Sequence, residues 1–120
     1  MVDVSFATGE LGLLQCTLTD GRVTATPSAS NVEDAASELL GALDAAASNG
    51  VGECFWPRAS GVYRWLIRRE PNVTRLAVLW SAGTMTGWES LFWAECDWVP
   101  FEQLLRGRIA AWRASAKAAM

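Results

Sequence analysis

The residues best suited to chemistry in this chain are carboxylates and thiols. Glu89, Glu95 and Asp97 fall close together around Leu91 and Trp93. On a strand these odd-numbered positions share one face, so the three acids form an acidic row. Such a row suits acid–base work or a hard divalent cation. A glycosidase, however, needs two carboxyls across a sugar-sized cleft with separated pKa values, which one exposed strand supplies poorly. The plainer reading makes the acids a solvated edge, or cross-strand partners for Arg64, Arg68 and Arg75. The thiols are Cys16, Cys54 and Cys96. A reactive thiol needs a base or an electropositive setting. Cys16 lies in an apolar run, Cys54 has Glu53 beside it, and Cys96 stands between Glu95 and Asp97, which disfavours the thiolate.

Histidine is absent. That removes the Ser-His-Asp triad, the Cys-His pair and imidazole metal sites. No CxxC, no GxxxxGK[ST] and no GxGxxG occurs, so neither the usual zinc spacing nor a phosphate-cradling loop is present. We therefore assign no catalytic residue, no metal and no cofactor from the sequence. The chain reads as a binding protein more readily than as an enzyme.

Positions 62 to 80 organise the rest. Val62 to Arg69 (VYRWLIRR) and Val73 to Trp80 (VTRLAVLW) alternate with period two around the break Glu70-Pro71-Asn72. That pattern predicts an antiparallel strand pair with one apolar face and one mixed face. Trp65 and Ile67 point to the first face; Arg64, Leu66 and Arg68 point to the second. Upstream, Val2 to Phe6, Leu13 to Leu18 and Arg22 to Thr26 read as a three-stranded meander, with Gly9 to Gly12 and Asp20-Gly21 as its turns. Val32, Ala36, Leu39, Leu40, Leu43 and Ala47 then give a helical stripe, opened by a Ser30/Glu33 capping box and closed at Asn49-Gly50. Glu53 to Trp56 is a further short strand, and Trp88 to Asp97 a long one. A last helix follows Trp98-Val99-Pro100, with Gly107 in its middle and a tail that frays from Ser115.

The order is βββ-α-ββββ-α. The expected fold class is α+β: a two-layer, largely antiparallel twisted sheet with two helices on one face, in a single domain over residues 1–120. Half of the residues are apolar, enough for a core without metal or disulfide. Residues 1 to 50 carry seven acids and one Arg, a charge of −6; residues 51 to 120 carry nine bases and six acids, +3. The total of −3 argues against nucleic acid as a partner. No basic stretch precedes an apolar run at the start, and no apolar run reaches membrane-spanning length. A cytoplasmic protein, with reduced core thiols and no membrane partner, is the expectation.

With both helices on one side, the mixed side of the sheet lies bare. Arg64, Arg75, Leu79, Leu91 and Trp93 then make a candidate binding surface, since Arg and aromatics set in an apolar patch favour contacts. The loop from Ser81 to Gly87, with Met85 and then Trp88, is a second candidate contact. The partner is another protein or a second copy of the chain. The alternatives are a small-molecule site or enzyme built on Glu89, Glu95 and Asp97, and a structural subunit of a homo-oligomer.

The helix from Asn31 to Ser48 ending in Asn49-Gly50, the run ECFWPRASGVYRWLIRR, and the closing helix after Val99-Pro100-Phe101 together resemble small bacterial immunity-type proteins of polymorphic toxin systems. The resemblance spans about residues 13 to 112. It implies a non-enzymatic protein that binds a toxin at or near its active site. It carries over no individual binding residue, and the Arg-rich second half departs from a uniformly acidic immunity protein.

Overall fold

The computed structural model describes residues 2–9, 12–83 and 87–118, without the side chains of 117 and 118. The expected turn at Gly9 to Gly12 and the contact at Met85 therefore lie partly or wholly outside the described residues. The elements run β1 (Asp3–Thr8), β2 (Leu14–Thr19), β3 (Thr24–Ala25), β4 (Ser28–Ala29), α1 (Val32–Asn49), β5 (Val51–Arg58), β6 (Gly61–Arg69), β7 (Thr74–Ser81), β8 (Glu89–Cys96) and α2 (Trp98–Ala118).

The α+β class, the antiparallel pairing and the two helices are as expected. The β layer is divided, though, into two four-stranded sheets. The first has β2 at its centre, with β1 on one side and the fragments β3 and β4 on the other. The second runs β5-β6-β7-β8 in simple meander order. The division follows from local chemistry. Asp20 Oδ1 accepts the N–H groups of both Arg22 and Val23 at 2.8 Å, which ties the chain into a turn and delays β3 to Thr24. Pro27 has no N–H to give, so the returning strand breaks in two. That broken edge offers β5 no continuous ladder.

Helix α1 lies across β5 and β6, and α2 lies along β1. The α1 seat is close because β5 carries Gly52. A Cβ there would come within 1.7 Å of the Ala42 carbonyl oxygen. Trp56 Nε1 donates to Ala35 O at 3.1 Å, about two helical turns before Ala42. At the helix end, Gly50 adopts φ 87° and its N–H bonds Ala46 O at 3.0 Å, the left-handed stop that Asn49-Gly50 predicts. The capping box does not form. Asn31 occupies the cap position without a side-chain cap bond, and Glu33 reaches instead to Arg113 of α2 at 2.7 Å. Helix α2 remains helical past Ser115, through Ala118. It is clasped to β1 by Trp112 Nε1, which donates to Thr8 Oγ1 at 3.1 Å.

One core joins all of this. Val4, Leu14 and Leu18 of the first sheet, Leu39 and Leu43 of α1, Trp56, Trp65, Ile67, Leu76, Val78 and Phe92 of the second sheet, and Leu105 and Ile109 of α2 are essentially inaccessible. Among the described residues, no helix is long and apolar enough to cross a membrane.

Candidate protein-contact face

The second sheet has two unlike faces, and its register decides which residues share each. Opposite pairs are Arg64 with Leu79, Leu66 with Ala77, Arg68 with Arg75, and Arg75 in turn with Glu95. On β5, Phe55 pairs with Arg64 and Glu53 with Leu66. These residues alternate with the buried Cys54, Trp56, Trp65, Ile67, Leu76 and Val78. They therefore stand on the face away from the core. Leu66, Ala77 and Leu79 are half-buried among their neighbours, whereas Phe55 is 44% exposed and Trp93 54%. Trp88, just before β8, is 45% exposed. Its ring lies 6.3 Å from that of Phe55 and 5.6 Å from the Arg64 guanidinium. Aromatic side chains thus ring a half-buried aliphatic centre.

The charges on this face are largely matched within it. Arg64 Nε donates to Glu53 Oε2 at 2.7 Å. Two like charges, Arg68 and Arg75, stand directly opposite, an arrangement that costs stability. Arg75 is drawn the other way, with Glu70 at 3.1 Å and Glu95 at 3.6 Å. Glu95 is thereby the cross-strand partner that the sequence offered as its plainer role.

Four of the five residues expected on this surface come together there: Arg64, Arg75, Leu79 and Trp93. Leu91 does not sit squarely among them. The β7–β8 register shifts between Val78 and Leu79, so that Val78 faces Phe92 while Leu79 faces Ser90. Leu91 is the extra residue of this bulge and packs, half-buried, against the core. Sequence alternation missed Phe55, and it set Trp88 with the preceding loop as a separate candidate contact, whereas its ring lies against this face. The pairing of Phe55 with Arg64 follows from the β5–β6 hairpin, and Arg58-Ala59-Ser60-Gly61 was the signal for it.

The same bulge separates the acidic row. Glu89 stands opposite Trp80, at the far end of β8 from Glu95, about 20 Å along the strand at ordinary rise. Asp97 lies beyond the strand, where its backbone carbonyl accepts the Phe101 N–H at 3.1 Å as α2 begins. Glu95 and Asp97 do border a cleft of about 810 Å³ with Asp3, Phe101 and Arg108. Among the described residues no group of three or more acids and thiols is placed to hold a metal ion.

The settings of the three thiols disfavour the thiolate. Burial pushes Cys54 up to about 12, with Glu38 and Glu53 adding to it, and burial then Asp97 push Cys96 up to about 11. Burial alone raises Cys16, which is fully enclosed. All three are free thiols.

The chain matches no protein-family model, and no curated protein or solved structure is significantly similar to it.

Proposed function

We propose that this protein is a non-catalytic protein-binding module whose contact surface is the outer face of β5–β8. The observation that carries the reading is the set of three exposed aromatics on or against that one face, Phe55, Trp88 and Trp93. Large exposed aromatics around an aliphatic centre are the usual anchors of protein contacts. The ion pairs around them fix direction and register more than they add affinity. The resemblance to immunity-type proteins makes a bacterial toxin the partner to test first. The direct experiment is co-purification with a toxin encoded beside this gene, comparing the natural chain with Trp93→Ala and Arg64→Ala. Loss of the complex at an unchanged melting temperature supports the reading. A complex that both variants retain in full overturns it.

A second reading rests on the cleft bordered by Glu95, Asp97 and Asp3. Its wall is apolar, and its rim sets three carboxylates against the one cation Arg108, itself beside Asp3, a balance that suits a small amphipathic cation. If that is the function, Asp97→Asn removes binding of an arylalkylammonium probe in calorimetry while the fold persists. Equal binding by the variant removes this reading.

A further inference from the structure

We infer that, in the free protein, the outer face of β5–β8 is covered by the same face of a second copy of the chain. This rests on the reading of that face as a contact surface, and names its occupant. Two observations select a second copy over a charged stranger. The first is charge. Arg64, Arg68 and Arg75 against Glu53 and Glu95 leave the face at +1, with Arg64 and Arg75 held by carboxylates of their own chain. A two-fold contact sets a surface against itself, so a strongly charged face repels its copy and a nearly neutral one does not. The outer side of α1, with Glu33, Asp34, Glu38 and Asp44, keeps a net −2 even with Arg113 on Glu33 and Arg106 on Asp44, so it lacks that property. A strongly basic or acidic partner, equally, gains no field from a face so nearly neutral.

The second observation is size. Four strands of eight or nine residues span about 19 by 26 Å, or about 500 Å² in plan before side-chain relief is counted. Stacking two such faces in full overlap removes about 1,000 Å² from water, the level a specific interface must reach. The exposed aromatics stand where they interleave across the roughly 10 Å between stacked sheets.

The test is sedimentation of the purified full chain up to about 1 mM, a range that captures even weak self-association. The natural chain should show twice its single-chain mass, with dissociation on dilution. Trp93→Lys and Phe55→Lys each place a cation twice across the two-fold and should weaken the dimer about thirtyfold or more. Val99→Lys, exposed on α2 away from this face, should leave it unchanged. Melting temperatures establish that each variant is folded. A natural chain that stays monomeric throughout overturns the inference, as does a dimer that both Lys variants keep or that Val99→Lys breaks. If the natural chain is monomeric but Trp93→Ala still loses a toxin complex, the self-contact fails while the contact face stands. If the dimer forms but no toxin complex depends on Trp93, the toxin reading fails and the self-contact stands.

Discussion

Trp56 and Trp65 pack at 5.0 Å between ring centroids, yet only Trp56 has a partner for its ring N–H. The Trp65 Nε1 is buried without one. Replacing Trp56 with Phe should therefore cost about 1 kcal/mol more than replacing Trp65 with Phe, because only the first change removes a hydrogen bond that is made, while the second removes a buried donor that has none. Urea midpoints of the two variants measure the difference; equal losses would contradict the assignment. The thiols give a pH prediction. Their folded-state pKa values are raised, so the unfolded chain releases these protons first. Their contribution is complete below the unfolded thiol value of about 8.5 and declines as pH rises toward about 11 for Cys96 and about 12 for Cys54. Denaturation at pH 7 and pH 10 should show this loss, and Cys54→Ala should lessen its slope. At this scale the sequence was legible for side chains whose neighbours are close in the chain, such as Cys96 beside Asp97. It was not legible for the meeting of Phe55 with Trp88, residues 33 positions apart in sequence that share one face only through the strand order β5-β6-β7-β8.

Gly52 is the element-scale counterpart. In the fold it is an interior strand residue that lets α1 approach the second sheet, and Gly52→Ala should unfold or severely destabilise the protein, by about 3 kcal/mol or more. Gly107 behaves oppositely. It lies in α2 with open space where its Cβ would be, so it serves no close packing. Gly107→Ala should raise stability by about 0.5 to 1 kcal/mol, read from the shift in chemical denaturation. A loss there would mean that α2 needs a bend. The strands β6 and β7 and the end of α1 were legible because period-two alternation and Asn49-Gly50 are local signals. The failed capping box shows the limit of such signals. Glu33 had two possible partners, and the one chosen lies on an element eighty residues away in sequence. The bulge in β8 was hidden for a similar reason, since a bulge is defined by the partner strand and leaves no mark on alternation.

For the whole molecule, the uneven charge of the two halves is resolved internally. Arg106 meets Asp44 at 2.6 Å, Arg113 meets Glu33 at 2.7 Å, and Arg108 lies 3.6 Å from Asp3. The basic second half thus neutralises part of the acidic first half, a use that composition alone could not show. These pairs are solvent-exposed, so a double-mutant cycle on Arg113 and Glu33 should give about 0.5 kcal/mol of coupling at low salt and nearly none at about 1 M. The division into two sheets was likewise out of reach of periodicity, which describes strands one at a time. The clasp of Trp112 on Thr8 joins α2 to β1 across 104 residues of sequence. The opening hairpin β1–β2 thus takes part of its cover from a helix about a hundred residues later, a contact of high sequence separation. Removal of α2 from Trp112 onward should therefore leave the β1–β2 hairpin open to protease, and faster limited proteolysis of the shortened chain than of the full one checks this.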